Sequence, residues 1–231
     1  MGLSSRKAKY IFLHFDGVVL ENILAPLVYS IVKKLGGIYS AEIENNIFAI
    51  SQKDAAKFLI DKLKLKLTEK EVISLYYSER EKFEKKHEIK KAKGLIPFFE
   101  RLKNLNFKVI SYGGASKDYF LKNTKDIALY FDDEKYIQTR DFRPGLKEIT
   151  RSIYQLNVDE VVFIDEESSV ARVAKELFIP FIGMDSGHSF SFQKQEMERL
   201  NIQHIVSSLE EINEELLENA MKKNTHTELR G

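Results

Sequence analysis

The stretch Lys9-Tyr10-Ile11-Phe12-Leu13-His14-Phe15-Asp16-Gly17-Val18-Val19 decides the fold of this chain. Its consecutive apolar residues, Tyr10 to Leu13, predict a strand that is buried on both faces of a parallel sheet. Polar residues follow at once, so His14 and Asp16 stand at the carboxyl end of that strand. Because ligands bind at this end of open α/β sheets, the stretch predicts a functional site as well as a fold.

The composition is that of a globular protein with an ordinary hydrophobic core. The chain has 231 residues, 43% of them hydrophobic and 31% charged, which predicts one large domain or a core with one insertion. The net charge of +1 gives no global field that would attract nucleic acid or an anionic membrane. The absence of cysteine excludes disulfides, thiolate nucleophiles and cysteine-based zinc sites.

We expect a cytoplasmic protein with no nucleic-acid and no membrane partner. The first residues contain no apolar signal region, and no stretch approaches the roughly 18 apolar residues that a membrane span needs. The basic run at 85–93 is interleaved with acidic residues at Glu81, Glu84 and Glu88. That mixture is typical of a solvated helix face and argues against a nucleic-acid surface.

The spacing of the apolar residues divides the chain into a helical part and an α/β part. Between residues 20 and 91 apolar residues recur at helical spacing, as at Ile23, Leu27 and Ile31. From residue 92 onwards short apolar strands alternate with helices, which predicts a parallel sheet covered on both faces. The predicted strands after the first are 107–111, 128–131, 161–164, 181–183 and 205–206.

We therefore predict an α/β fold with a Rossmann-like parallel sheet as its core. The core is discontinuous and consists of residues 1–19 and 92–215, and an all-helical cap of residues 20–91 is inserted after the first strand. The last part of the chain, 216–231, is predicted to be a polar tail.

Polar residues of a restricted type stand at the ends of three predicted strands. They are His14 and Asp16, then Ser111, and finally Asp165 and Glu166. A further segment, Arg143-Pro144, precedes a predicted helix. Taken singly, such residues are typical of turns and local hydrogen bonds. At successive strand ends of one parallel sheet, however, they are expected to lie together.

In this order the segments resemble the four motifs of the haloacid dehalogenase-like (HAD) superfamily. The resemblance rests on residues 12–19, 109–111, 143–144 and 163–177, and it extends over about residues 9 to 213. It implies an α/β core with a helical cap and a pocket between them. It also implies a phosphatase-like hydrolase, or alternatively a dehalogenase, with a small phosphorylated molecule as ligand.

The resemblance also implies a role for each site residue. In this chemistry one carboxylate attacks phosphorus, and a second carboxylate two residues on, here Asp16, protonates the leaving group. Ser111 would bind the phosphoryl group, and Arg143 would steady it as a cation. Tyr112 and Gly113 belong to the same phosphate-binding group, and the pair Gly113-Gly114 would offer backbone N–H groups to the anion. The implied cofactor is Mg²⁺, held by Asp16, Asp165 and Glu166.

His14 stands where the superfamily has its nucleophilic aspartate. Imidazole brings a nitrogen to a place where Mg²⁺ prefers oxygen, so magnesium binding should be weakened. Loss of a nucleophile from a concerted site costs several orders of magnitude in rate. We therefore predict a degenerate active site, retained as a pseudoenzyme that binds a phosphorylated ligand or a partner.

Other interpretations of His14 remain open. One is a divergent metal-dependent phosphohydrolase, in which Asp16, a water molecule or His14 itself attacks phosphorus. Another is a transition-metal site formed by His14 with Asp165 and Glu166. The remaining interpretations are a chain outside the superfamily or a histidine with a merely structural role. The surrounding acids would also favour the imidazolium form of His14, which could take the place of Mg²⁺.

Overall fold

The computed structural model describes residues 9–132 and 134–222, and a six-stranded parallel sheet lies at their centre. The strands are β1 (Tyr10–His14), β2 (Lys108–Gly113), β3 (Tyr136–Gln138), β4 (Val161–Asp165), β5 (Phe181–Met184) and β6 (Ile205–Val206). Their order across the sheet is β3-β2-β1-β4-β5-β6. This is the strand order of a doubly wound Rossmann-like sheet. The predicted fold class is confirmed.

Helices follow β1 and then alternate with the later strands. Between β1 and β2 the chain forms α1 (Leu24–Lys34), α2 (Ala41–Asn45), α3 (Gln52–Leu63), α4 (Glu69–Lys86) and α5 (Leu95–Asn104). The later helices are α6 (Lys117–Thr124), α7 (Ser168–Glu176), α8 (Gln193–Arg199) and α9 (Glu214–Met221). Side-chain caps begin several of them, such as Thr68 and Glu71, which form a reciprocal capping box at α4. Across the described residues, no helix combines the length and the apolar character required to cross a membrane.

The apolar residues of β1 are divided between the two faces of the sheet. Ile11 and Leu13 belong to the core beneath α5, α6 and α9, whereas Phe12 belongs to the core beneath α7 and α8. This division follows from the alternation of side chains along a strand. Helices α1 to α4 enclose a third apolar cluster of their own, which includes Val28, Phe48 and Val72.

The strand predicted at 128–131 is wrong. These residues belong mostly to a 3₁₀ helix, Lys125–Tyr130. Ile127 and Phe131 are buried four residues apart, whereas Leu129 between them is 73% exposed. That burial is helical, since a strand would place all three side chains on one face. The strand that pairs with β2 on this side is β3, in which Tyr136 lies opposite Ser111.

The tail predicted from residue 216 is also partly wrong. Helix α9 continues to Met221. Its Leu217 is buried in the core, because the side of the helix that carries this residue packs against the sheet. Residues 223–231, like residues 1–8, lie outside the described part of the chain.

The buried carboxylate of Glu44 joins α2 to the segment that precedes α8. It accepts hydrogen bonds from the hydroxyl of Tyr39 at 2.6 Å and from the hydroxyl of Ser191 at 2.9 Å. It also accepts the backbone N–H of Phe192 at 2.6 Å and the side-chain amide of Gln193 at 3.1 Å. A buried carboxylate with four donors is fully satisfied, so this contact fixes the helices of residues 24–86 against the core.

Replacing Glu44 with alanine should lower the free energy of unfolding by about 3 kcal/mol, because it leaves several buried donors without an acceptor. Urea unfolding measures this loss. Glu42→Ala is the matched control, since Glu42 is exposed in the same helix and pairs with the exposed Lys62. The control should change stability by less than about 0.5 kcal/mol. Equal effects of the two substitutions would contradict this role of Glu44.

Candidate functional site

The ends of β1 and β4 form the centre of the candidate site. Leu13 lies opposite Ile164 in the parallel register, so His14 and Asp165 leave the sheet side by side. The chain order reverses at this point of the sheet, which opens a crevice at the strand ends. Gly17 adopts a φ of 90° in the turn after β1, and a Cβ atom there would clash with the carboxylate of Glu166. Glycine is therefore required at this position.

His14 is buried against two acidic side chains. Its Nδ1 donates a hydrogen bond to Oε2 of Glu166 at 2.9 Å and lies 3.6 Å from Oδ1 of Asp165. Burial alone would lower the pKa of His14, but the charges of Asp165 and Glu166 outweigh it and raise the pKa to about 10. Burial raises the pKa of Glu166 to about 8, although His14 partly opposes that shift. The pair therefore retains a proton at neutral pH.

Asp165 is occupied by donors from the protein. The hydroxyl of Tyr112 donates to its Oδ2, and the backbone N–H of Glu167 donates to its Oδ1 at 2.9 Å. Burial and then the charge of Asp165 raise the pKa of Tyr112 well above its usual value, so the phenol stays protonated. The phenol of Tyr112 is thus engaged with an acid of the site.

Glu167 is a site residue that the sequence analysis missed. Its buried carboxylate accepts both contacts of Arg143 Nη2, at 2.8 and 3.1 Å. Burial raises the pKa of Glu167, and the charge of Arg143 opposes that rise. The guanidinium predicted to steady a phosphate is therefore engaged with an acid. An uninterrupted run of three acidic residues, Asp165 to Glu167, is the signal that could have revealed this group.

Ser111 does not face the site. Strand β2 continues two residues beyond it to Gly113, and the Ser111 hydroxyl donates to the backbone carbonyl of Leu13 at 3.0 Å. The prediction that Ser111 binds a phosphoryl group is wrong for this geometry, because its hydroxyl lies inside the sheet. Gly113 packs against the His14 ring, and the residues of this segment that face the crevice are 114–116.

A cavity of about 390 Å³ extends from these strand ends into the space between α1, α3 and α4. His14, Asp16 and Arg143 line its inner end, together with Arg80 of α4. Arg80 was not predicted, although Tyr76, Arg80 and Glu84 share one face of a helix at four-residue spacing. Nη2 of Arg80 and Oδ1 of Asp16 lie 3.9 Å apart. Both atoms are buried, and neither has a hydrogen-bond partner among the described residues.

The buried acids do not fit Mg²⁺ as the sequence predicted. Magnesium requires nearly octahedral coordination by oxygen atoms. Here each buried acid accepts a hydrogen bond from the protein. The donors are the imidazole of His14 for Glu166, the phenol of Tyr112 for Asp165 and the guanidinium of Arg143 for Glu167. Asp16, the remaining predicted ligand, faces Arg80. Protein donors thus contact Asp165, Glu166 and Glu167, whereas Oδ1 of Asp16 has a cation 3.9 Å away and no hydrogen bond. The one geometric group of candidate metal ligands in the described ranges is His14, Glu166 and Glu167, whose ligand atoms lie within 4.8 Å of one another.

Comparison with known proteins identifies the fold. No family model matches the chain, and no curated protein matches it. A structure from Bacteroides vulgatus, provisionally named a β-phosphoglucomutase, aligns at a TM-score of 0.74 with 16% identity over 95% of this chain and 92% of its own. A HAD hydrolase of family IA, variant 3, from Entamoeba histolytica aligns at 0.67 with 17% identity over 93% and 100%.

A third structure, a HAD family hydrolase from Deinococcus radiodurans with bound phosphate and sodium, aligns at a TM-score of 0.62. Its identity is 12%, over 94% of this chain and 98% of its own. The alignments with these three structures span nearly the whole of both chains, including the helices between β1 and β2. This chain therefore has the fold of HAD hydrolases, with a cavity at the strand ends where such α/β sheets bind ligands.

Proposed function

We propose that this chain is a HAD superfamily member that binds a small phosphorylated molecule and lacks aspartyl-phosphate chemistry. The observation that carries the proposal is the imidazole of His14 at the end of β1, bonded to Glu166 at 2.9 Å. By the resemblance of residues 12–19, His14 occupies the position of the nucleophilic aspartate. A protonated imidazole has no lone pair with which to attack phosphorus.

The arrangement of charge supports a binding role. Three buried acids, Asp165, Glu166 and Glu167, are held by the protonated His14 and by Arg143. In this proposal the imidazolium takes the place that Mg²⁺ has in the resembling enzymes. The acids are then neutralised by the protein itself, and no metal is needed to assemble the site.

The inner end of the cavity supports a phosphorylated ligand. Arg80 Nη2 is a buried donor and Asp16 Oδ1 is a buried acceptor; they lie 3.9 Å apart, and neither has a hydrogen-bond partner among the described residues. A phosphate monoester carrying one proton satisfies the two together, because its P–O⁻ accepts from Arg80 and its P–OH donates to Asp16. The Deinococcus radiodurans neighbour contains bound phosphate, which supports the binding of a phosphate group by a protein of this fold.

A second candidate function is a divergent metal-dependent phosphohydrolase. It is favoured by Asp16, which lines the cavity with a free oxygen atom, and by the compact group of His14, Glu166 and Glu167. One nitrogen and two oxygen ligands suit a transition metal better than Mg²⁺. Such an enzyme would use Asp16 or a water molecule in place of the missing nucleophile.

Hydrolysis of p-nitrophenyl phosphate distinguishes the two functions. We expect the native chain to show no turnover above the background rate with Mg²⁺, Mn²⁺ or Zn²⁺, because no carboxylate replaces His14 as nucleophile. The same chain should gain thermal stability from methyl phosphate, which reports binding without reaction. Turnover by the native chain that Asp16→Asn abolishes would establish the second candidate and overturn the first.

The His14→Asp variant tests why Mg²⁺ does not fit. The substitution replaces a cation with an oxygen ligand beside Asp165 and Glu166, so Mg²⁺ at about 100 times its Kd should raise the melting temperature of the variant by several degrees. The native chain should show no such shift. His14→Asn is the control, because it removes the imidazole without adding a carboxylate. Equal stabilisation of the native chain by Mg²⁺ would contradict the proposed role of His14.

A further inference from the structure

We propose that the ligand of this chain is the phosphate monoester of an apolar alcohol, whose hydrocarbon chain lies among α1, α3 and α4. This inference rests on the proposed function for the phosphate group and adds the chemical class of the remainder. The observation behind it is the lining of the 390 Å³ cavity, which joins charged side chains at the strand ends to aliphatic side chains of α1, α3 and α4.

The part of the cavity among α1, α3 and α4 is lined largely by aliphatic side chains. They come from three helices and include Leu24, Val28, Ile31, Leu59, Val72 and Ile73. A sugar or nucleoside phosphate would place hydroxyl groups against these side chains, where they would lose hydrogen bonds to water without replacement. A hydrocarbon chain loses no such bonds and gains from leaving water. The lining therefore selects apolar alcohols over polyols.

Arg80 is the charged side chain of the cavity that faces Asp16, and its own contacts hold it in place. Arg80 Nε donates to Glu84 at 2.8 Å, and the guanidinium lies 4.5 Å from the ring centre of Tyr119. These contacts leave Nη2 facing Asp16 at 3.9 Å, without a hydrogen-bond partner among the described residues. In this proposal the phosphate of the ligand meets this pair, and the rest of the molecule extends toward the aliphatic side chains of α1, α3 and α4.

The cavity meets solvent between α3 and α4. Gln52 and Tyr77 both line it and both are exposed, and the amide of Gln52 donates to the Tyr77 hydroxyl at 2.8 Å. Because Tyr77 is 44% exposed, the cavity opens to solvent at this hydrogen bond. A chain that fills the space between Arg80 and this hydrogen bond is buried throughout, and a longer chain would project into water.

Isothermal titration with a series of phosphates tests the inference. We expect the affinity to rise by about fourfold for each added methylene group from methyl through butyl to octyl phosphate, all kept below micelle-forming concentrations. Glucose 6-phosphate should bind no more tightly than methyl phosphate. In the Ala56→Leu variant the affinity should rise less with the length of the hydrocarbon chain, because Ala56 lines the cavity and the larger side chain fills part of it. Lys57→Leu, exposed on the next residue of α3, should leave the dependence unchanged.

The outcomes separate this inference from the proposed function. If methyl and octyl phosphate bind equally, the apolar-ligand inference is wrong and the phosphate site stands. If 1-octanol binds as tightly as octyl phosphate, or if Arg80→Met leaves octyl phosphate binding unchanged, the phosphate end is wrong. If neither methyl nor octyl phosphate binds, both proposals fail together. A rising series that Ala56→Leu flattens and Lys57→Leu does not supports both.

Discussion

Replacing Arg143 with methionine should lower the free energy of unfolding by about 3–5 kcal/mol, because it leaves Glu167 as a buried acid without its cation. The carboxylate of Glu167 is fully buried, and Arg143 Nη2 contacts both of its oxygen atoms. Methionine retains much of the length of the arginine side chain and lacks its charge, so the loss measures the ion pair more than the packing. Urea unfolding at pH 7 gives the value.

Two further variants show whether the lost stability comes from the unpaired acid. Arg143→Met combined with Glu167→Leu removes both charges and should recover most of the loss, as buried ion pairs replaced by apolar residues commonly do. Arg140→Met is the matched control, since Arg140 is exposed in the same loop and its replacement should cost less than about 0.5 kcal/mol. A loss below 1 kcal/mol for Arg143→Met alone would show that the pair contributes little.

The sheet could be predicted because its central strands consist of uninterrupted runs of apolar residues. Residues 10–13 and 161–164 have no polar face, which only a strand covered on both sides tolerates. The same reasoning wrongly predicts a strand at 128–131. The apolar run there is as short as that of a strand, and only the exposure of Leu129 between the buried Ile127 and Phe131 shows that the segment is a helical turn.

The sequence predicts the site residues that stand at the ends of neighbouring strands. It does not predict those that reach the site only through contacts between distant parts of the chain. His14, Asp165 and Glu166 meet because their strands are neighbours in register. Ser111 fails to reach the crevice because Tyr112 and Gly113 continue β2 by pairing with Ile137 and Gln138. No local pattern marks that extension.

Glu167 and Arg80 could not be assigned for a related reason. An acid just before a helix is usually explained by the helix dipole, and an arginine on a charged helix is usually solvated. Glu167 becomes a site residue only through Arg143, which is 24 positions away in the chain. Arg80 becomes one only because α4 packs over the strand ends and brings it near Asp16. These contacts depend on the packing of whole helices, which residue patterns do not encode.

Stability should fall as the pH rises from 7 to 9.5, and His14 should account for about one proton of that dependence. The pKa of His14 is raised from 6.5 to about 10 in the folded chain. Its contribution is therefore fully present below pH 6.5 and is lost as the pH rises through 10. Glu166 acts in the same direction, since its pKa is raised from 4.5 to about 8. In this window the folded state binds more protons than the unfolded state, and one proton corresponds to about 1.4 kcal/mol for each pH unit.

Urea unfolding of the native chain and of His14→Gln at pH 7, 8, 9 and 9.5 isolates the histidine. Glutamine can donate a hydrogen bond to Glu166 but cannot titrate, so the variant should lose stability with pH less steeply than the native chain. The difference between the two slopes gives the number of protons held by the histidine and its acidic partner. Parallel slopes would show that His14 is neutral in the folded chain. The acids would then need another cation, and the case for a metal beside His14, Glu166 and Glu167 would be reopened.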